Sequence, residues 1–535
     1  MIRYIFFLIF ILLLFSACEP VILGNTPPVN QIDDENEYYV AEIEEIPIIT
    51  IDENIENVIE NSNDAILRLS MRNPLTLNPL LNEDVTVARI LRLIFEPLII
   101  LDTTLRPTAH LADIEFASDF SSANLTVRND AIWSDGLPVT ADDIIFSIDT
   151  LKSAPDYVIY KENVRNIAHV SRVSTRTVQI VFNTPTVTAG YALSFPIIPM
   201  HHFQGETVKN SHNNMHPIGN GSFKFESNMA MRGLTLIRNP YSFRSRAQIE
   251  QVDVQFLPNE QTELYAFDQG RIDALPIPLT EWVRHHGVRS FTAEIFPAMY
   301  FEFIGFNFQK DIFRELHTRQ GIAHAFDATT AISAVYLDHA IRASAPIHPY
   351  NWAAGQGFDP AFDQARAQAL LDLIRPEARP EEPLIILVNK ENPQRVSIAR
   401  RLAESLNNVG LPAGVLPVSE EDYFYRLENH EFDLFIGGVN LSFTPNVQFM
   451  FQHSDLFVND PWLNTAFNAM MVATTESAYL QAVSNFQQVF TERLPVIGLA
   501  FRHSSVLTNL RISQNVAPQP DNVFHGLIEW EIIDN

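Results

Sequence analysis

Histidines, glycine-rich loops and acidic residues could perform catalysis or hold a metal, but none of them forms a persuasive catalytic or metal-binding constellation in this sequence. The sequence has no Gly-x-Ser-x-Gly, no His-Glu-x-x-His and no phosphate-binding glycine loop. The pairs His201-His202 and His285-His286 are adjacent, so their side chains point apart on a strand or helix. His212 and His216 have helical ligand spacing, but Asn213-Asn214 between them favours a solvated loop. We therefore expect no enzyme activity, no metal and no cofactor.

Cys18 is the only cysteine of the 535-residue chain, and it follows a signal-like segment. A short positive start precedes an apolar run, Ile5 to Phe15, and two small residues. The run is too short for a spanning helix, which needs about 20 residues. Phe15-Ser16-Ala17-Cys18 resembles the bacterial lipobox, in which Leu is preferred at the position of Phe15. The resemblance implies a lipoprotein signal peptide at 1–17 and lipid on the sulfur of Cys18; an ordinary secretory signal is the alternative.

The segment 18–64 has the composition of a tether. Twelve acidic residues and no Lys or Arg lie between Asp33 and Asp64. Like charges repel, and the apolar residues between them are scattered, so an extended or disordered linker is expected. A flexible coil of this length spans roughly 40 Å.

The remainder, 65–535, has the composition of a folded body, since it contains all five Trp residues. Its length exceeds what one core usually holds, so two or three domains are expected. The chain carries a net charge of −28, which argues against nucleic acid as a partner. Without a second cysteine, an intramolecular disulfide is excluded.

Local patterns predict a mixed α and β fold. Strands are expected at 178–182 and 384–388 from length and β-branching. The second of these strands, a helix at 396–408 and a strand at 413–417 form a predicted β-α-β unit. A further strand is expected at 433–436.

Two helices carry start signals. Thr140 is expected to cap a helix in which Asp143 completes a capping box. Asp359-Pro360 is expected to open a second helix, because Pro is favoured at the first helical position. Its predicted apolar stripe consists of Phe362, Ala365, Ala369, Leu370 and Leu373.

The segment from Trp133 to Ser147, WSDGLPVTADDIIFS, resembles the signature of the bacterial extracellular solute-binding proteins, family 5, the oligopeptide, dipeptide and nickel receptors of ABC importers. Further motifs follow the family order around it. They include Leu77-Asn78-Pro79, Gly219-Asn220-Gly221, Asn239-Pro240-Tyr241, Gly270-Arg271-Ile272-Asp273, Arg319-Gln320-Gly321 and Glu431-Phe432-Asp433-Leu434. Trp133 and the turns at Asp135-Gly136 and Asn239-Pro240 are expected to have structural roles.

The resemblance implies an α/β, two-lobed periplasmic-binding-protein-like fold with three domains, in which ligand binds between closing lobes. A discontinuous core domain of lobe 1 is expected at 65–107, 206–305 and 496–535. An inserted domain of lobe 1 is expected at 108–205, and lobe 2 at 306–495.

The resemblance also implies two ligand-binding segments. In lobe 1, the residues after the Leu-x-Pro motif are Glu83, Asp84 and Val85; a solvated loop is the alternative. In lobe 2, a strand end supplies the segment of five residues Gly437, Gly438, Val439, Asn440 and Leu441.

Two positions of the lobe 2 segment depart from the family pattern. Peptide receptors of the family carry Trp where Gly438 stands, and Asp, which pairs with the peptide ammonium, where Leu441 stands. We expect that the protein does not hold a free peptide N-terminus in this manner, because a buried ammonium without its carboxylate is costly. Gly438 is expected to leave room where the ring would lie, and Glu83 or Asp84 could supply the missing anion.

The leading functional hypothesis is a monomeric, lipid-anchored receptor that binds a peptide or peptide-like solute. It would deliver that solute to an ABC permease and its ATPase at the outer face of the cytoplasmic membrane or in the periplasm. Alternatives are a receptor for a metal chelate, a sugar or haem, and a sensor or interaction protein that has lost import.

Overall fold

The computed structural model describes residues 66–229, 232–278, 291–355, 359–443, 446–451, 456, 458–512 and 516–533. Cys18, the predicted signal peptide, the acidic linker and the pair His285-His286 lie outside the described residues. Residues Ile66–Asn535 group as one compact unit.

Seventeen strands occur within the described residues. They are β1 (Ile66–Met71), β2 (Ile99–Leu101), β3 (Pro107–Ala109), β4 (Ala112–Phe116), β5 (Ser122–Val127), β6 (Ile167–Arg172), β7 (Thr177–Phe182), β8 (Phe223–Asn228), β9 (Gly233–Arg238), β10 (Gln251–Phe256), β11 (Ala274–Pro278), β12 (Phe291–Phe306), β13 (Ala340–Arg342), β14 (Leu384–Asn389), β15 (Ala413–Val418), β16 (Leu434–Asn440) and β17 (Ile497–Asn509).

Eleven α-helices occur in the same part of the chain. They are α1 (Val85–Ile94), α2 (Ala141–Ser153), α3 (Glu260–Asp268), α4 (Asp311–Arg314), α5 (Leu316–Ala325), α6 (Ala328–Tyr336), α7 (Gln364–Leu371), α8 (Pro393–Asn408), α9 (Glu420–Glu428), α10 (Pro461–Met471) and α11 (Glu476–Arg493). Short 3₁₀ helices lie between them, including His212–Met215, where a loop was expected.

The strands form three sheets and a hairpin. One sheet has the order β1-β10-β9-β8, and another has the order β4-β5-β7-β6. The largest sheet has the order β11-β17-β12-β16-β14-β15, with β13 also paired to β17. β2 and β3 form the hairpin.

Two separate hydrophobic cores stabilise these sheets. The first packs α1 and α2 against the two four-stranded sheets. The second packs helices α3 to α8 against the largest sheet. β12 and β17 contribute to both: Phe296 and Val506 lie in the first core, whereas Ile304, Ile497 and Leu507 lie in the second. These two strands, of 16 and 13 residues, therefore connect the cores.

Most of the locally predicted elements are confirmed. β7, β14 and β16 cover the three predicted strands, and β14-α8-β15 is the predicted β-α-β unit with parallel strands. Thr140 is the N-cap of α2, and the Asp143 carboxylate accepts hydrogen bonds from the Thr140 N–H (2.8 Å) and hydroxyl (3.0 Å). Trp133 is fully buried, as expected of a core residue.

The helix predicted to open at Asp359-Pro360 is wrong in its start and in its buried face. The Asp359 carboxylate pairs with Arg342 at 2.5 Å, so it caps no helix. α7 begins instead at Gln364, where Asp363 accepts a hydrogen bond from the Arg366 N–H. The buried residues of α7 are Ala367 and Leu371, whereas Phe362 and Leu373 are exposed.

The motif residues mainly hold the scaffold together. The Asp273 carboxylate, which is fully buried, accepts hydrogen bonds from Arg68, Asn509 and Arg511 and thereby joins β1 to the end of β17. The Asn239 side chain donates to the Gly221 carbonyl at 2.8 Å and accepts from the Tyr241 N–H at 3.0 Å. This last bond is typical of a turn that begins at an Asn.

Candidate functional site

The predicted lobe 2 segment begins in β16, which lies between β12 and β14 in the largest sheet: Gly437 to Asn440 form the end of the strand, and Leu441 follows it. Gly437, Gly438 and Val439 are buried, whereas Asn440 is exposed. Leu441 is 7% exposed, and its N–H donates to the Met299 carbonyl at 2.8 Å. The position at which family members carry an ammonium-binding Asp is therefore a mostly buried apolar side chain. Ligand binding by these five residues stays a prediction.

The expectation that Gly438 leaves room for a bulky ligand is wrong. A Cβ atom on Gly438 would lie under 3.0 Å from the guanidinium of Arg395, the ring of Tyr300 and the carboxylate of Glu302. These three side chains already fill the space beside the strand. Glycine is thus required here so that a charged group can approach the backbone closely.

Four side chains form what we call the Glu302 cluster: Tyr300, Glu302, Arg395 and Arg502. Glu302 is fully buried, and its carboxylate pairs with Arg395 Nε at 2.9 Å and with Arg502 Nε at 3.2 Å. Arg395 Nη2 also donates to the Tyr300 hydroxyl at 3.1 Å. The Arg502 guanidinium carbon lies 3.8 Å from the centroid of the Tyr300 ring, which is close for a cation–π contact.

The fold brings these residues together from three separate elements. Tyr300 and Glu302 lie on β12, opposite Asn440 and Gly438 of β16. Arg502 lies on β17, where the pairing with β12 is irregular between Pro297 and Phe301. Arg395 lies in the first turn of α8. The cluster therefore lies where the two connecting strands meet the predicted ligand-binding strand.

The two arginines and one carboxylate give the cluster a net charge of +1. Burial lowers the pKa of the Arg395 guanidinium, but the adjacent Glu302 outweighs it and holds that pKa well above its ordinary value. Burial raises the pKa of the neighbouring Tyr336 and Tyr423 phenols, so both are neutral at pH 7 and add no negative charge.

The predicted lobe 1 segment begins helix α1. Asp84 is its N-cap: Oδ1 accepts from the Thr86 N–H at 2.7 Å and from the Val87 N–H at 3.1 Å. This role is structural. Glu83 is exposed, and Val85 is 53% exposed although it is apolar. Within the described residues, no hydrogen bond or ion pair joins 83–85 to 437–441, and ligand binding by 83–85 stays a prediction.

Another set of contacts connects the predicted lobes away from the Glu302 cluster. Trp352 Nε1 donates to the Tyr191 hydroxyl at 3.2 Å, and the Trp352 N–H donates to the Thr104 carbonyl at 2.9 Å. Arg106 lies over the Trp352 ring, 4.6 Å from its centroid, and pairs with Glu476 at 2.7 Å. The predicted lobes are thus joined here through both backbone and side-chain contacts.

The described histidines considered as metal ligands have protein partners instead. His201 pairs with Asp135 at 2.7 Å, and His202 contacts the His216 carbonyl at 2.9 Å. His212 lies 3.6 Å from Glu206. In the ranges that the structure describes, no group of three or more His, Cys, Asp or Glu residues is placed to hold a metal ion. No helix in those ranges has the length and apolarity to cross a membrane.

A shallow depression of about 760 Å³ lies on the sheet β1-β10-β9-β8 and includes none of the predicted site residues. It is lined by Ser222, Lys224, Ile237, Arg238, Asn239, Pro240, Ser242, Arg244, Ser245, Arg246, Ala247, Glu250 and Gln251.

Sequence reasoning missed the Glu302 cluster. Glu302 lies between Phe301 and Phe303 in an apolar run, and an acid in such a run indicates a buried charge that needs a partner. Arg395 comes shortly after Asn392-Pro393, the pair that opens α8 within the predicted β-α-β unit. No local pattern indicates Arg502.

Comparison with known proteins shows which family of proteins this chain resembles. A family model described as "Bacterial extracellular solute-binding proteins, family 5 Middle" matches residues 107–456, more than half of the chain. A Brucella ovis protein, provisionally named an ABC transporter peptide-binding protein, is 23% identical over 327 residues, which are 59% of this chain. The match spans 62% of the length of that relative.

Two solved structures share the fold. The ABC transporter substrate-binding protein CtaP from Listeria monocytogenes is 18% identical, with a TM-score of 0.77 over 88% of this chain and 99% of that structure. NikZ from Campylobacter jejuni, in complex with Ni(L-His), is 19% identical, with a TM-score of 0.68 over 87% of this chain and 99% of that structure. These structures confirm the predicted α/β binding-protein fold. The chain belongs to the bacterial extracellular solute-binding proteins, family 5.

Proposed function

We propose that the protein is the receptor of an ABC importer, which captures a small solute between two lobes and delivers it to a permease and its ATPase. Membership of family 5 supports this, as does the name of the Brucella ovis relative. The finer expectations belong to the same proposal: no catalysis, a monomeric receptor, and lipid on Cys18 that holds the chain outside the cytoplasmic membrane.

The observation that carries the proposal is the course of β12 and β17. Both strands contribute side chains to both cores, Phe296 and Val506 to the first and Ile304 and Ile497 to the second, so they can act as a hinge between two bodies. The predicted boundaries at 305–306 and 495–496 fall in or just before these strands. We therefore keep the three-domain division, with lobe 2 at 306–495, as part of the proposal.

The solute we propose is a peptide or peptide-like compound without a free ammonium group at the β16 end. Leu441 offers no carboxylate, and the space beside Gly438 contains the Arg395 guanidinium, which shares the Glu302 carboxylate with Arg502. An ammonium placed there would be desolvated next to a cluster of net positive charge. Loss of the acidic partner of a buried ion pair costs about 3–5 kcal/mol, or roughly two to four orders of magnitude in affinity.

Calorimetry with matched peptides tests this specificity. We expect N-acetylated tri- to pentapeptides to bind at least as tightly as the same peptides with free N-termini. Tight binding that acetylation abolishes would contradict the proposal. In that case Glu83→Gln and Asp84→Asn would show which lobe 1 carboxylate binds the ammonium, with the exposed Glu115→Gln as the control.

A further inference from the structure

We propose that Arg502 is a ligand subsite that binds a carboxylate of the solute. This inference rests on the proposed function and adds the chemical class of group that the site recognises. The departures from the family pattern at Gly438 and Leu441 predict only what the site does not bind. The Glu302 cluster indicates what it does bind.

The first argument is charge. Glu302 is the one carboxylate among the described residues that pairs with either Arg395 or Arg502. Since two guanidinium groups share one carboxylate, one positive charge is left over. The whole chain is acidic, with a net charge of −28, yet no second described acid pairs with either arginine of this cluster. An excess positive charge in a largely buried cluster is unfavourable, and an anionic ligand would remove that cost.

The second argument is the difference between the two arginines. Arg395 makes three side-chain hydrogen bonds: Nε and Nη2 donate to Glu302, and Nη2 also donates to Tyr300. Arg502 contacts Glu302 only as an ion pair, through Nε at 3.2 Å. Its side chain donates no hydrogen bond to any residue in the described part of the chain. Its terminal nitrogens are therefore available, and a guanidinium can bind a carboxylate through two parallel hydrogen bonds.

The third argument is preorganisation. The Arg502 guanidinium is stacked 3.8 Å from the Tyr300 ring centroid, and Glu302 fixes its Nε. The side chain is only 15% exposed, so its rotamer freedom is already restricted before ligand binds. A fixed guanidinium in a site with little water binds an anion more strongly than a mobile surface arginine does.

The fourth argument is location. Tyr300 is paired with Asn440, and Glu302 is paired with Gly438, within the predicted ligand-binding segment. Arg502 is on β17, one of the two strands that connect the cores. A solute that lies along the β16 end can therefore reach Arg502 while it contacts lobe 2. Arg502 is in this respect a specificity residue, and Glu302 and Tyr300 position it.

The experiment compares N-acetylated tri- to pentapeptides that lack acidic side chains, prepared as free acids and as C-terminal amides. Calorimetry with the full chain should give about ten- to one-hundredfold tighter binding of the acids, since hydrogen bonds to charged groups are the strong ones. Arg502→Gln should abolish this preference, and Arg502→Lys should keep part of it. The exposed Arg366→Gln is the control. The ratio of acid to amide binding is measured within each variant, so a general loss of stability cannot imitate the result.

Equal binding of acids and amides, or a preference that survives in Arg502→Gln, would overturn the inference. If no peptide of the set binds, mass spectrometry of molecules released on denaturation decides. An anionic compound that copurifies with the unaltered chain and is lost from Arg502→Gln supports the inference. A neutral or cationic compound overturns it and leaves the receptor function intact. If neither experiment finds a bound solute, the proposed function fails as well.

Discussion

The indole Nε1 of Trp352 donates a hydrogen bond of 3.2 Å to the hydroxyl oxygen of Tyr191, across the boundary between the predicted lobes. The Tyr191 hydroxyl donates in turn to the Leu105 carbonyl at 2.6 Å. Arg106 stacks on the same indole ring. Trp352 therefore contacts residues of the predicted lobe 1 on its ring face and at its nitrogen.

Replacing Trp352 with Ala should favour the open arrangement of the lobes. The substitution removes the hydrogen bond to Tyr191 and the cation–π contact with Arg106, which together contribute about 1–3 kcal/mol. Small-angle scattering of the ligand-free chain should show a larger radius of gyration. Trp462→Ala is the matched control, because Trp462 is 68% exposed. Scattering curves that coincide for all three proteins would show that Trp352 does not hold the lobes together.

Replacing Gly438 with Ala should destabilise the protein and disturb the Glu302 cluster. The added methyl group would meet Arg395, Tyr300 and Glu302, and overpacking of this kind costs about 1–3 kcal/mol. Gly414→Ala on β15 is the control, since a Cβ there has no neighbour within 4 Å. Urea unfolding should therefore show a lower free energy of unfolding for Gly438→Ala and no comparable decrease for Gly414→Ala. Equal stability of the two variants would mean that Arg395 moves aside at little cost.

Replacing Asp273 with Ala should be among the most damaging single changes. It would leave Arg68 and Arg511 without the buried carboxylate that both pair with, at 2.6 and 3.1 Å. Removing one partner of a buried ion pair costs about 3–5 kcal/mol. The exposed Glu115→Ala should change the free energy of unfolding by less than about 0.5 kcal/mol. Chemical denaturation checks both values, and a loss below about 1 kcal/mol for Asp273→Ala would contradict the structural role assigned to it.

The sequence predicts those parts of the fold that depend on neighbouring residues. The capping box of Thr140 and Asp143 and the β14-α8-β15 unit are local patterns, and both are confirmed. The predicted start of α7 is wrong for a physical reason. Asp359-Pro360 is a valid helix start by itself, but the distant Arg342 binds the carboxylate that would have capped it.

The candidate site is less predictable because it depends on long-range contacts. Glu302 meets Arg395 and Arg502, which are far from it in sequence and lie on different elements. A glycine in place of the family tryptophan suggests empty space when it is considered alone. Whether a neighbour fills that space is decided by residues that no spacing rule connects to Gly438.

Cys18→Ser should release the protein from the membrane fraction, because lipid on the cysteine sulfur is the proposed anchor. A single acyl chain binds membranes only weakly, so two or more chains are expected on the unaltered protein. Cell fractionation followed by immunoblotting measures the distribution, and Ser16→Ala, which keeps the cysteine, is the control. Retention of the Cys18→Ser variant in the membrane would contradict the lipoprotein hypothesis. Cleavage without lipid would support the ordinary secretory signal.

His348 should make the protein less stable as the pH falls from about 6.5 to about 4. Burial, with His503 nearby, lowers the pKa of the His348 imidazole from 6.5 to about 4. In that window the unfolded chain binds a proton that the folded chain does not bind, so acid favours unfolding. His348 Nδ1 accepts from the Tyr350 N–H at 3.1 Å, and Nε2 has no partner within the described residues.

His348→Asn tests this dependence, because an amide oxygen can accept the same Tyr350 hydrogen bond but does not titrate. Between pH 7 and pH 5, the unaltered protein should lose about 2 kcal/mol more stability than this variant. Burial also lowers the pKa of His503, and this adds to the dependence of stability on pH in both proteins. Urea unfolding at pH 7, 6 and 5 provides the comparison, with the exposed His169→Asn as the control. If the stabilities of His348→Asn and the unaltered protein fall in parallel with pH, His348 is protonated in the folded state as readily as in the unfolded chain.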